Sequence, residues 1–167
     1  AQWLNSGHSV REVVNANGRT VQYQSFKAKC MDGGVYGYGS FPLQNDAGRQ
    51  HGNQPVLNVL AQSINGGIVS MQQKMDLCDT FDLVDALGVH RASPQKDASL
   101  PNYGTTQISR IPSNVYGGTD EIAPITMASA YAAFAGGGTV CTPVPIDSIT
   151  GPDGEEVPFT KSKCKSA

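Results

Sequence analysis

Residues 61–67, Ala61-Gln62-Ser63-Ile64-Asn65-Gly66-Gly67, form a polar break between two apolar stretches of helical period. A break of this sort can project a hydroxyl and an amide together from the junction of two helices. Ser63 could then pass a proton, as a general acid–base relay does, and Asn65 could hold an amide of a substrate backbone. Asn-Gly-Gly is equally a plain turn, and the spacing alone leaves both readings open.

The remaining candidates for chemistry are cysteines and histidines. Cys30, Cys78, Cys141 and Cys164 allow three pairings. None lies in a Cys-x-x-Cys, and His8, His51 and His90 stand apart, so neither a zinc site nor any other cofactor is expected. Two disulfides are favoured over buried free thiols, which implies an oxidising, extracytoplasmic setting.

The elements that would position Ser63 and Asn65 come from a chain of 167 residues, one ordinary domain in length and long enough to bury a sizeable core. Hydrophobic residues make up 39% and charged ones 16%, which excludes a disordered tail or a coiled coil. The 19 glycines and 10 prolines point to many turns and few long regular elements. A net charge of -2 gives no footprint for nucleic acid, and the short run Lys161, Lys163, Lys165 does not alter that. No apolar stretch approaches the roughly 18–20 residues that cross a bilayer. The start, Ala1-Gln2-Trp3-Leu4-Asn5, has neither an initiator Met nor a basic region followed by an apolar core, so the chain reads as a cut piece.

Trp3 and Leu4 read as the end of one helix stopped by Gly7, and Ser9 as the cap of a short second one over 10–14. Alternation within 20–26 predicts a half-buried strand, and 31–53, rich in Gly, Asn, Asp and Tyr, reads as irregular. Val56, Leu57 and Leu60 share a helical face, which breaks at 63–67 and resumes through Ile68, Val69, Met71 and Met75. Asp79 or Thr80 is expected to cap a helix carrying Phe81, Val84 and Leu87 or Leu83, with Gly88 as its stop. Residues 89–118 form a long polar loop of the kind that tends to be functional or disordered. Pro124 opens a helix with Met127, Tyr131 and Phe134 on one face and Ala128, Ala132 and Ala135 beside them, ended by Gly136–Gly138. Segments 145–150 and 155–159 flank Gly151-Pro152-Asp153-Gly154, a hairpin signal. The expected core includes Leu60, Ile68, Val84, Leu87, Met127, Tyr131 and Phe134.

Several segments, in order along nearly the whole chain, resemble class A penicillin-binding proteins. Residues 3–10 with Val14-Asn15 look like the stretch after that family's nucleophile helix, and Gln62-Ser63-Ile64-Asn65 looks like its second motif, Ser-x-Asn. Residues 85–89 resemble the end of the next helix. Residues 119–128, with 130–135 and Gly137-Gly138, are the most specific match. Cys141 and Cys164, flanking 146–149, resemble a cysteine pair found in some members; the pairing expected with it is Cys30 to Cys78.

The resemblance implies a mixed α/β fold: mainly the helical lobe of a β-lactamase/transpeptidase-like fold plus a C-terminal β-hairpin, with residues 1–167 a partial penicillin-binding transpeptidase domain. It implies a serine D,D-transpeptidase that cross-links peptidoglycan stem peptides ending in D-Ala-D-Ala through an acyl-enzyme and is acylated by β-lactams. Ser63 would relay a proton and Asn65 would hydrogen-bond the substrate amide, with no cofactor. Further partners are the rest of the parent chain and, only through an N-terminal anchor outside this sequence, the membrane, at the cell surface; nucleic acid is not among them.

The family's Ser-x-x-Lys and Lys-Thr-Gly would fall before Ala1 and after Ala167. The two Ser-x-x-Lys strings present, Ser93 to Lys96 and Ser162 to Lys165, lie downstream of Ser63 and outside credible helices. Pro94 further spoils the first, since Lys must stand one helical turn from Ser. The fragment alone is therefore expected to be inactive. Alternatives are a D,D-carboxypeptidase or β-lactamase fragment, with Glu121 or Asp120 the nearest deacylating carboxylates although helix-capping is the plainer job for both, or a non-catalytic cell-wall-binding module. Gly66-Gly67 also replaces the bulkier pair common after Ser-x-Asn.

Overall fold

Helices α2 (Val56–Ala61) and α3 (Asn65–Gln72) are separated by only three residues, Gln62 to Ile64. The break is therefore shorter than the glycines suggest. Gly66 and Gly67 lie inside the first turn of α3, both buried, because close contact demands glycine there. A Cβ on Gly66 would stand 2.6 Å from the carbonyl oxygens of Ala16 and Asn17; one on Gly67 would stand 2.4 Å from a methyl of Val59.

The computed structural model describes residues 1–167, which divide into two units, Ala1–Leu83 with Ser109–Asp120, and Val84–Ile108 with Glu121–Ala167. In the first, α1 (Gln2–Asn5) leads into a single turn rather than a helix over 10–14. Ser9 accounts for the difference: its hydroxyl accepts the Arg11 N–H and its carbonyl accepts the Glu12 N–H, which closes the turn locally. The β-branched Val13 and Val14 then enter strand β1 (Val13–Asn15), antiparallel to β4 (Asn53–Pro55) with Val14 opposite Gln54. The carbonyls of Val10 and Glu12 take the first N–H groups of α2, which lacks a side-chain cap of its own.

Strand β2 (Arg19–Gln22) pairs antiparallel with β3 (Ser40–Leu43), Val21 opposite Phe41. The expected strand over 20–26 thus ends early, in a 3-10 turn at Tyr23–Ser25. The stretch 31–53 is not wholly irregular, since it supplies β3 and the start of β4. Helix α3 serves two apolar clusters. Met71 packs with Trp3, Val14, Val56, Val59 and Ile64. Val69 packs with Val21, Phe26 and Leu43, joined by Val115 and Tyr116 from the 3-10 turn Pro112–Tyr116. Each such aliphatic side chain, fully buried, contributes about 1.5–3 kcal/mol.

Helix α4 (Leu77–Ala86) starts earlier than expected, and its cap is Asp76 rather than Asp79 or Thr80. The Asp76 carboxylate accepts the Cys78 N–H at 2.8 Å and the Lys29 N–H at 3.0 Å. The disulfide Cys30–Cys78 closes the same junction. Gly88, at φ +72, ends the helical run, as its conformational freedom predicts.

In the second unit, α5 (Pro124–Ala135) has the predicted bounds but turns the other way. It buries Thr126, Ala130 and Ala133, while Tyr131 is 71% and Phe134 61% exposed. Met127 is also exposed, as is Leu60 on α2, and Ile68, Val84 and Leu87 are only half-buried, so none of the seven expected core residues is fully buried. The small residues of α5 permit the close approach, and nothing in this chain covers its large ones.

Strands β5 (Thr139–Cys141) and β6 (Cys164–Ser166) pair antiparallel, with Cys141 opposite Cys164 and joined to it by a disulfide. The C-terminal hairpin is thus paired at its base. At its tip, 145–150 and 155–159 do not form strands; there is one bridge, Thr150 to Glu156, with the turn closed by Gly151 N–H to Glu155 C=O. Residues 89–108 are irregular yet tied to themselves, with Gln95 and Asn102 buried: Gln95 and Gly104 exchange backbone bonds with 105 and 95, and the Asn102 amide donates to the Gln107 carbonyl.

Candidate active site

Ser63 owes its position to the way α2 ends. The Ile64 N–H donates to the Val59 carbonyl at 3.0 Å and the Ser63 N–H to the Leu60 carbonyl at 3.3 Å. Together these form a Schellman motif, completed by contact of Ile64 and Val59 within one apolar cluster. The motif requires a left-handed residue just past the cap, a place where glycine is usual. Here it is Ser63, at φ +52. The side chain is exposed, and its hydroxyl makes no hydrogen bond within the chain.

Asn65 follows as the first residue of α3 and is half-buried. Its amide nitrogen donates to the Gln44 carbonyl at 3.0 Å, which leaves Oδ1 free to accept from a ligand. The structure therefore brings the two predicted residues to one corner, with the Ser63 hydroxyl and the Asn65 carbonyl oxygen both unengaged. That pair can accept a substrate N–H and hand a proton on; neither group can act as a nucleophile without a base.

Three groups that sequence reasoning missed build the corner from beneath. Asn45, only 5% exposed, accepts the Gly66 N–H on Oδ1 at 2.8 Å and donates through Nδ2 to the carbonyls of Ala16 and Arg49 at 2.8 and 2.9 Å. Arg19 reaches along α3, donating to the Gly66 carbonyl at 3.3 Å and to Ser70 Oγ and Gln73 Oε1, each at 2.9 Å. Its partial burial lowers the guanidinium pKa below its ordinary value. Ser70 in turn donates to the Asn15 carbonyl at 2.6 Å. Nothing in the local sequence flags these residues, because the partners that tie them to the corner lie 21 to 55 positions away.

The other candidates do not join this corner. Asp120 accepts both the N–H and the hydroxyl of Ser109, so it fastens a loop rather than capping α5, whose N-cap Ala123 has no side-chain bond. Ser93 to Lys96 runs through irregular backbone and Ser162 to Lys165 into β6; neither is helical. His8 is held against the Trp3 ring at 4.1 Å between centroids and bonded to Glu12. No group of three or more His, Cys, Asp or Glu side chains could hold a metal ion.

The family model for the penicillin binding protein transpeptidase domain matches residues 21–166. Among solved structures, penicillin-binding protein 1A from Haemophilus influenzae is similar at TM-score 0.63 and 19% identity, over 95% of this chain and 20% of that one. Penicillin-binding protein A from M. tuberculosis, in its imipenem acyl-enzyme complex, is similar at TM-score 0.64 and 19% identity, over 98% of this chain and 36% of that one. Its penicillin G acyl-enzyme complex matches at TM-score 0.62 and 20% identity, over 98% and 36%. These likenesses concern the fold, and this chain spans well under half the length of each structure. No curated relative matches the sequence.

Proposed function

The chain belongs to the penicillin-binding protein transpeptidase family, and from that premise we propose that it is the part of a serine D,D-transpeptidase that carries the second active-site motif, Ser63-Ile64-Asn65. The observation that carries the reading is Ser63 itself. A serine held in the left-handed conformation, where glycine costs less, with its hydroxyl exposed and unengaged, is backbone strain kept at a place where a side chain has work to do.

In this reading the nucleophile is the serine of a Ser-x-x-Lys outside residues 1–167. It attacks the carbonyl of the penultimate D-Ala of a stem peptide; the bond to the terminal D-Ala nitrogen breaks, and an acyl-enzyme forms. Ser63 passes the proton from the catalytic lysine to the departing amine, and back from the incoming amine of a neighbouring strand. Asn65 accepts the substrate amide N–H on Oδ1, the oxygen that the Gln44 contact leaves free. β-Lactams acylate the same nucleophile, as they do in the imipenem and penicillin G acyl-enzyme complexes of the M. tuberculosis protein. The place of action is outside the cytoplasm, at the cell surface, with the parent held at the membrane; the two disulfides support an oxidising setting. The engagement of Asp120 with Ser109 lends no support to a hydrolytic alternative.

The partner this reading requires is the rest of the transpeptidase domain. Helix α5 carries no charged residue and leaves Ile125, Tyr131 and Phe134 exposed. A helix apolar on all sides belongs in the interior of something larger, and this chain covers 20% and 36% of the structures it matches.

Intact mass of the parent before and after incubation with a penicillin tests the proposal. One penicilloyl adduct on a serine outside residues 1–167, formed more slowly when Ser63 is replaced by Ala, is expected. The 167-residue chain by itself should take no adduct and should not hydrolyse a chromogenic cephalosporin. Hydrolysis by that chain, abolished by Ser63→Ala, would refute the assignment of the nucleophile elsewhere; a folded parent that takes no adduct would refute the enzyme.

A further inference from the structure

We infer that Asn45 is a positioning residue for this site: from the loop 44–49 it fixes the first turn of α3 and so sets where the Asn65 amide and the Ser63 hydroxyl stand. The inference rests on the reading of Ser63 and Asn65 given above. It does not make Asn45 catalytic, because its side chain acts only through Gly66 and its neighbours.

The first N–H groups of any helix need partners from outside it, and α3 has no side-chain cap of its own, its N-cap being Ile64. Asn45 supplies the cap from a distant segment, its Oδ1 accepting the Gly66 N–H at 2.8 Å. The orientation of its amide is dictated by its partners: Nδ2 meets two carbonyls, of Ala16 at 2.8 Å and of Arg49 at 2.9 Å, and only a donor fits there. The residue before it contributes as well, since the Gln44 carbonyl takes the Asn65 amide at 3.0 Å. Consecutive residues of the loop thus grip consecutive residues of the site. Gly66 is also closely approached by the carbonyls of Ala16 and Asn17, which leave no room for a Cβ. Ala16 therefore both receives the Asn45 amide and bounds the space that α3 occupies. Asn45 is buried, so its loss leaves an unpaired N–H on α3 and two unpaired carbonyls, and the turn that bears Asn65 is free to shift.

Stopped-flow acylation of the parent transpeptidase by a fluorescent penicillin tests this in the wild type, Asn45→Ala, Asn65→Ala and Ser63→Ala. Burst amplitude counts competent molecules, whereas the saturating rate constant reports geometry. Asn45→Ala should lower that rate constant about tenfold to hundredfold, as small displacements of a positioned group do, whatever it does to the amplitude. A wild-type rate constant at reduced amplitude would show that Asn45 merely holds the fold and would overturn the inference. If Asn45→Ala leaves no competent molecules, Asn45→Ser, which keeps a short acceptor, is read in the same way. Wild-type rates in both Ser63→Ala and Asn65→Ala would instead remove the site on which the inference rests. In the 167-residue chain, Asn45→Ala should raise hydrogen exchange at the Gly66 amide by about five- to tenfold, the loss of one net hydrogen bond; unchanged exchange there would also overturn it.

Discussion

Replacing Ser63 by glycine should make the protein more stable while impairing it. The left-handed conformation at φ +52 costs a residue with a Cβ about 1–2 kcal/mol relative to the right-handed one. Glycine escapes that cost but gives up roughly 0.5–1 kcal/mol through the greater freedom of its unfolded chain. Ser63 is exposed and its hydroxyl is unbonded, so no contact is lost to offset the difference. The net expectation is a gain of about 0.5–1 kcal/mol, seen as a rise in Tm of roughly 2–4 °C per kcal/mol for a chain of this size. Ser63→Ala is the control: it keeps the Cβ and the strain, and should lie within about 0.5 kcal/mol of the wild type. Thermal or urea unfolding of the three chains settles the comparison. A Ser63→Gly chain no more stable than Ser63→Ala would refute the argument that the corner holds strain for the sake of a side chain. In the parent, Ser63→Gly should slow acylation as much as Ser63→Ala does.

Other perturbations separate packing, covalent and electrostatic contributions. Gly67→Ala, which would stabilise an open helix by about 1 kcal/mol, should destabilise this one by about 1–3 kcal/mol, because its Cβ would lie 2.4 Å from Val59. Combined with Val59→Ala the loss should be smaller than the sum of the single losses, and strict additivity in urea unfolding would contradict the contact. Non-reducing peptide mapping should recover Cys30 with Cys78 and Cys141 with Cys164. Loops of 48 and 23 residues' separation should lose about 4 and about 3 kcal/mol respectively when opened. Phe134→Ala should be nearly neutral in the 167-residue chain, where the ring is exposed, yet cost about 3–5 kcal/mol in the parent; a neutral result in both would mean that nothing covers α5. The Glu12 carboxyl is held below its ordinary value of 4.5, first by the Ser9 N–H and then by His8 and Lys74. With the folded pKa the lower, the unfolded chain binds more protons in that window, so this stability is present above pH 4.5 and is lost as pH falls through the folded value. Glu12→Gln should flatten that part of the acid unfolding curve, and an unchanged curve would show that the carboxylate contributes nothing.

What the sequence makes legible is what depends on neighbours in the chain. Pro124 and Gly137, the latter at φ +62 just past the Gly136 cap, bracket α5 because both act through their own backbone dihedrals. Ser63 and Asn65 stand out as a polar interruption of an apolar period, and the structure places them at one corner. Gly66 and Gly67 mislead for a physical reason: glycine reads locally as a breaker, whereas here it admits Ala16, Asn17 and Val59 against a helix that continues through it. The face of α5 is misread because every face of it is apolar, and periodicity cannot say whether the alanines or the aromatics will find a partner. Strand β3 alternates only through Phe41 and Leu43, too briefly to stand out, and β4 has no apolar alternation; both exist by pairing with β2 and β1. Asn45 is illegible for the same reason, its partners being Ala16 and Gly66.

The disulfide at the base of β5 and β6 also separates residues 142–163 mechanically from what lies beneath them. Their only covalent exits are the two half-cystines, which are fixed opposite each other whatever the span between them does. Lengthening a closed loop costs little, about 0.6 kcal/mol per doubling, and exposed tips rich in Gly and Asp tolerate insertion best. The turn Gly151-Pro152-Asp153-Gly154 is therefore a natural graft point for an epitope or a dye, one whose attachment leaves the pairing of β5 with β6 fixed by the bond at their base.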